Sequence, residues 1–491
     1  MTSNPTFIPL VYRDHRKRII NQLGRFTPPS TLDRLLAELS ATESNDLERM
    51  RTRPPWRTLL LLKWFFEQRD VPRGNLRPMA QGDLISLINQ VAELESSFEL
   101  PSQHPDFNIF LRKIAHQQFW FQENLQVSHF ARQSLLFRHL PEEHPLFITF
   151  QRVIGTPLNA FIALLVAMTI PLATRKLTVE RQFFSTLEPF FSPSAVDTVL
   201  ATLSRDRDQL RTYLRDSQHS NERSHYEYYS RTPLTRFPLL REGSRFTTYS
   251  SPVLARGTET LVYDILRNHD PSTFMDHFGA VFEGYVRRGI EHMNHPFMDE
   301  KEVRRRFGVG KVVDFVLPSP KGTLFIEAKG VELPVAAMVT LETEFLNSRL
   351  HNSIFKALEQ AGELATRMAL TEPPFVLVVT YKHFLLGNGS SLQDIAKNVS
   401  LPQSVKSLDM TRIYFASIEE FDYLAAGLRA HGNDPVEFFK TVRTDDQDHR
   451  TRKFMLMQHI NDKLRPYGTP DYLRDEESAL MDVLREALPK A

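Results

Sequence analysis

An aspartate, a glutamate and a lysine interrupt one of the most apolar stretches of this chain, GVGKVVDFVLPSPKGTLFIEAK from Gly308 to Lys329. Apolar runs from Val312 to Leu317 and from Thr323 to Ile326 flank a turn rich in Pro, Ser, Lys and Gly, which predicts a β-hairpin. Closing the turn near Ser319 to Gly322 sets Val316 opposite Phe325 and Asp314 opposite Glu327. The two-residue period then puts Lys329 on the same face. Val313, Phe315, Leu317, Leu324, Ile326 and Ala328 are expected on the other face, against a packed layer.

Three charged groups converging at one spot have a definite chemistry. Hard cations such as Mg²⁺ and Mn²⁺ take oxygen ligands, commonly one or two carboxylates, with water and substrate phosphate filling the rest of the shell. Asp314, Glu327 and the Ala328 carbonyl are the predicted metal ligands. A bound cation acidifies its water and stabilises negative charge developing on a phosphate. Lys329 is placed to orient or deprotonate the attacking water and to offset transition-state charge. The plainer alternative is an exposed hairpin with a surface ion pair. Strands this apolar on both faces belong in the centre of a sheet, where unpaired charge is costly.

Asp314, the tripeptide Glu327-Ala328-Lys329 and Gly330 directly after it resemble the PD-(D/E)XK nuclease superfamily, with Val313 where that motif usually has proline. E-x-K occurs only here in the chain. The resemblance covers about Gly257 to Ala416. It implies an α/β fold with a restriction-endonuclease-like α-β-β-β-α-β core, Mg²⁺ or Mn²⁺ as cofactor, and hydrolysis of phosphodiester bonds, in DNA rather than RNA. The same resemblance implies a further acid from the helix before the hairpin. Glu283 is the candidate and Glu291 its rival. In one branch of the superfamily a later helix carries glutamine and, four residues on, an aromatic. Gln360 fits, Leu364 departs from the pattern, and Lys356 shares the Gln360 face. Nucleases of this kind fused to large helical regions resemble effectors of bacterial anti-phage defence systems. Two other readings stay open: a non-catalytic or partner-activated scaffold subunit, acting with a partner protein or as a homo-oligomer, and an RNase using the same site.

The elements that must position this site follow from the rest of the chain. At 491 residues, with 41% hydrophobic and 24% charged residues, it is long enough for two or three domains. It contains no cysteine, which excludes disulfides and thiolate zinc sites. A net charge of +1 argues against indiscriminate polyanion binding and leaves room for a local basic surface. The opening MTSNPTFIPLVYRDHRKR lacks the apolar core of a signal peptide, and the apolar run Ala160 to Ala173 is too short to cross a membrane. A cytoplasmic protein without a membrane partner is expected. Residues 1–250 read as a helical region suited to binding nucleic acid or a partner, 251–417 as the nuclease-like domain, and 418–491 as a smaller helical region.

Helical spacing recurs at Leu32–Leu39, Trp56–Glu67, Leu84–Leu94, Phe107–Leu125 and Leu158–Ile170. Thr258–Asn268, Ser272–Met293 with Ser272 as N-cap, and Leu341–Ala369 are the predicted helices of the central domain. Phe375–Tyr381 and Arg412–Ala416 are its later strands. Ser417 and Glu420 have capping-box spacing, and Pro435 opens another helix. Asp216–Ser251 reads as a linker or long surface loop. Its Arg223, Arg231, Arg236, Arg241 and Arg245, interleaved with Tyr226, Tyr228 and Tyr229, would suit phosphate contacts and base stacking, or simply a solvated connector. Trp56, Trp64 and Trp120 read as core. His292 with His295 lacks a third metal ligand. Arg304-Arg305-Arg306 could reach a phosphate, Gly308–Lys311 lacks the spacing of a phosphate loop, and Asp445–His449 reads as solvated charge between helices.

Overall fold

The computed structural model describes residues 7–42, 47–68, 76–96, 107–121, 125–174, 178–216, 225–396 and 401–487. Among these, helices predominate and two small mixed sheets are present. The first sheet joins β1 (Thr178–Glu180), β2 (Ser204–Arg205), β3 (Leu239–Glu242) and β4 (Arg245–Thr248) in the order β1-β4-β3-β2. The second joins β5 (Met298–Asp299), β6 (Phe315–Ser319), β7 (Gly322–Lys329), β8 (Phe375–Thr380) and β9 (Ile413–Ser417) in chain order. β5, β6 and β7 run antiparallel, and β7, β8 and β9 parallel.

The hairpin forms in the expected register, with Val316 opposite Phe325 and Ser319 opposite Gly322. Being central, it is buried on both faces, as the lack of polar alternation in its strands requires. Phe315, Leu317, Leu324, Ile326, Leu377 and Val379 enter one apolar core. Val316, Phe325, Val376, Val378, Ile413 and Phe415 enter a second on the opposite face. Both cores take in residues from the N-terminal 250 residues: Phe130, Phe137 and Leu165 in one, Trp64, Trp120 and Tyr249 in the other.

Several helices frame the second sheet, four of which flank its strands in the chain. α1 (Pro271–His292) precedes β5, α2 (Glu300–Phe307) follows it, α3 (Lys356–Met368) lies between β7 and β8, and α4 (Ile418–His431) leaves β9. The N-cap of α1 is Asp270, which accepts from the Thr273 amide at 3.1 Å, while Ser272 donates to Asp270 instead of capping. The region expected as one helix from Leu341 to Ala369 is divided into Thr343–Leu350, a π-turn at His351–Phe355, and α3. α4 carries the capping box read from Ser417 and Glu420.

The segment read as a linker is instead structured from residue 225 on, with two 3₁₀ turns and the β3–β4 hairpin. Tyr228 and Tyr229 are buried. Arg231 donates to the His116 carbonyl, Arg236 to that of Thr202, and Arg241 and Arg245 pair with Asp206 and Glu242. These tyrosines are therefore core, not a stacking surface. Arg223 lies outside the described residues, as do 122–124 within the expected helix Phe107–Leu125, whose helical part is Phe107–Gln118. Trp64 and Trp120 are buried. Among the described residues no helix is long and apolar enough to cross a membrane.

Candidate functional site

The β6 strand begins at Phe315, so Val312, Val313 and Asp314 approach it outside the ladder. Other groups hold this approach. Arg367 of α3 donates to the Gly308 carbonyl at 2.9 Å and to that of Lys311, and Gln360 donates to the Val312 carbonyl at 2.8 Å. Val313 consequently packs with Val312 and Val316 in the second core, not with Phe315 as strict alternation would have it.

Side chains complete the hairpin where main-chain pairing stops. The Ala328 amide donates to Asp314 Oδ2 at 2.7 Å, and the Asp314 amide donates to Glu327 Oε2 at 3.1 Å. Lys329 Nζ donates to Glu327 Oε1 and, at 3.1 Å, to Gln360 Oε1. Asp314, Glu327, Lys329 and Gln360 thus form one continuous hydrogen-bonded chain across the approach to β6, the end of β7 and a helix. A strand residue sends its N–H and C=O to the same side, so the Ala328 carbonyl also leaves toward Asp314.

Gly330 explains how α1 comes so near. A Cβ there would lie 2.8 Å from Phe278 Cδ1 and 3.3 Å from Phe282 Cβ, so only glycine lets this face of α1 close on the end of β7. The same helix carries Glu283, whose charge is felt at Asp314. Glu300, the first residue of α2, repels both Glu283 and Glu327, and Asp299 pairs with Arg287 at 2.9 Å and caps α2.

Negative charge crowds the spot. Glu327 is 1% exposed. Burial, followed by the neighbouring Glu327 carboxylate, pushes the Asp314 carboxyl up to about 8, against the pull of the Ala328 amide and Lys329. Burial also raises Glu327, with Lys329 opposing it, and raises Glu283, with Glu300 adding to the effect. Carboxylates that resist ionising together are where a divalent cation gains most, because it replaces a proton and neutralises both.

No protein-family profile matches this chain, and neither a curated protein nor a solved structure matches it.

The donor set is compatible with a hard cation: Asp314 and Glu327 carboxylates and the Ala328 carbonyl, with Glu283 facing them from α1. Among the described residues no three of His, Cys, Asp and Glu gather into a ready cage. Two carboxylates leaving part of the shell to water and substrate is the usual arrangement for Mg²⁺.

Other sequence-derived candidates lie elsewhere. Glu291 is exposed on α1, and Lys356, though on the Gln360 side of α3, is exposed as well. His292 stands 3.8 Å from Asp471 and edge-on to Tyr472, while His295 bonds the Pro318 carbonyl, so the two do not share a ligand position. Arg304 and Arg306 pair back onto Glu300 and Glu302 within α2, and Lys311 pairs with Glu359 and Glu363 of α3. Asp445 and Asp446 are not simply solvated: they pair with Lys463 and the buried His459. Sequence reasoning missed Glu300 and Asp299. Their only signal is that MDE sits at a strand-to-helix joint, and the pairing of Asp299 with Phe315 brings that joint beside Asp314.

Proposed function

We propose that this chain is a nuclease of the PD-(D/E)XK kind that hydrolyses phosphodiester bonds in DNA using Mg²⁺ or Mn²⁺. The observation that carries the reading is the hydrogen-bonded run Asp314, Ala328, Glu327, Lys329, Gln360, which brings an acid from the approach to β6 together with an acid and a lysine from the end of β7. The strand order adds support: an antiparallel β5-β6-β7 meander preceded by α1, then α3 and a parallel β8, is the element sequence expected of such a core.

Asp314, Glu327 and the Ala328 carbonyl would hold the ion, whose chemistry is to acidify water and stabilise charge on phosphate. Glu283 adds negative charge from α1. Lys329 is a compact cation fixed between Glu327 and Gln360, able to orient the attacking water and to offset charge as the phosphate expands. Gln360 acts through Lys329, and by holding the Val312 carbonyl it also fixes the approach to Asp314.

Incubating the protein with plasmid DNA and Mg²⁺ or Mn²⁺, with EDTA as control, tests the reading. Cleavage is expected, and Asp314→Asn and Lys329→Ala should each lower it by about 100-fold or more. Metal-dependent cleavage that survives both changes would sink it. RNA digested in parallel decides between the polymers. A partner-activated or scaffold subunit is favoured by one observation: both oxygens of Glu327 are occupied, by the Asp314 amide and by Lys329. Inactivity that no partner protein relieves would establish the scaffold.

A further inference from the structure

Away from the acids, a hollow of about 530 Å³ opens between the helix Pro193–Leu203, the turn Pro233–Arg236 and the helix Leu261–His269. Its charged liners, Arg205 and Arg236, are both basic, and Thr198, Thr202, Asn268 and His269 add polar groups. No carboxylate lines it among the described residues.

The arginines are built into place. Both guanidiniums cover the ring of Phe237, at 3.9 Å and 4.6 Å from its centroid, and Tyr213 closes on that ring edge-on. Arg205 donates through Nη1 to the carbonyls of Ala201 and Ser204, and Arg236 through Nη1 to that of Thr202. A guanidinium has five N–H donors in a planar fork, so each keeps donors directed elsewhere. Burial, then repulsion from Arg236 and Arg241, lowers the affinity of Arg205 for its proton. Arg241 has Asp206, but Arg205 and Arg236 share a half-buried wall, and among the described residues no carboxylate is bonded to either. Two like charges fixed this way favour an anion with several oxygens, and paired guanidiniums suit phosphate.

We propose that this hollow binds the phosphodiester backbone of the DNA duplex at a distance from the cutting site, setting where the polymer lies. This rests on the nuclease reading for the identity of the polymer. The helix Leu261–His269 ties the two places together: Asn268 and His269 line the hollow, while Arg267 of the same helix pairs with Glu332, three residues beyond Lys329.

The test measures binding, not cutting. The full chain carrying Asp314→Asn is titrated in EDTA against a short labelled DNA duplex at several salt concentrations, with and without Arg205→Gln plus Arg236→Gln. The pair of changes is expected to weaken binding about 10-fold or more and to lessen the slope of log K against log salt by about two, one per lost phosphate contact. Ala201→Glu, at an exposed rim position, keeps both arginines in the chain but sets a carboxylate four residues before Arg205; it should weaken binding in the same way and serves if the double variant fails to fold. Unchanged affinity and slope in the folded variants overturn the proposal. So does loss of only the thermal shift produced by pyrophosphate, which would mark a site for free phosphate. Binding weakened by the arginine changes, when the parent chain with Mg²⁺ or Mn²⁺ never cleaves, keeps the hollow and removes the nuclease; Asp314-dependent cleavage by the parent with binding unaltered by those changes does the reverse.

Discussion

Asp314 holds its proton to about pH 8 in the folded chain because of burial and the adjacent Glu327, whereas in the unfolded chain it ionises near the ordinary value of 3.8. Between those values the folded state binds the extra proton, so this carboxyl makes stability fall as pH rises from about 4 to about 8. Asp314→Asn removes that term while keeping a side-chain oxygen for the Ala328 amide. Metal-free thermal unfolding should show the variant more stable than the parent by about 1 kcal/mol or more at pH 8, with the gap closing toward pH 4. Mg²⁺ should stabilise the parent more at pH 8 than at pH 6, since it displaces that proton, and leave the variant unmoved. Equal metal shifts in both proteins would show that Asp314 is not a ligand. The three central residues were legible because charge inside an apolar hairpin is conspicuous. Glu300 and Asp299 were not, because nothing local marks an acid whose importance comes from β5 pairing beside Asp314.

At the level of elements, the hairpin, β8, β9 and the capping box at Ser417 were readable from apolar runs and turn chemistry. So were the helices at Trp56–Glu67, Leu84–Leu94, Leu158–Ile170 and Ser272–Met293, and the one opened by Pro435. The tertiary setting overrode other readings. Residues 225–248 look like solvated linker by composition, but their tyrosines fill core and their arginines find carbonyls and carboxylates. The π-turn at His351–Phe355 is likewise invisible in a continuous helical pattern, although it directly precedes the helix that presents Gln360. Gly330 is the element-scale hinge of the site. Gly330→Val would place side-chain atoms into Phe278 and Phe282 and force α1 outward. Calorimetry should find a loss of about 1–3 kcal/mol, typical of overpacking, together with reduced cleavage as Glu283 moves away. Full stability and activity in this variant would show that α1 does not set the site.

Across the whole molecule the sheet is embraced by helices from distant parts of the chain. Arg112, 1% exposed, reaches the carbonyls of Ala337 and Phe384. Arg132 bonds Asp422 of α4 at 2.8 Å, and Asp422 also receives Tyr285 of α1 and Tyr472 of the C-terminal helix. Glu227 gathers Tyr12, Lys63 and Trp64 in the second core. Removing one member of a buried ion pair leaves uncompensated charge and typically costs about 3–5 kcal/mol; Glu67, 3.4 Å from Lys63, softens this. Glu227→Ala should therefore lower denaturant stability by about 2–4 kcal/mol without touching the acids of the site. A change within about 0.5 kcal/mol, the range of ordinary surface substitutions, would show the network to be dispensable.

The parallel pairing of β7 with β8 carries a consequence for biosynthesis. Lys329 leaves the ribosome well before its partner Gln360, and β7 gains its inner neighbour only when Phe375–Thr380 has followed. A message cut short upstream of Phe375 would yield a polypeptide whose hairpin lacks both its neighbouring strand and its full apolar cover. Premature termination would then give the cell an incompletely packed fragment for its proteases.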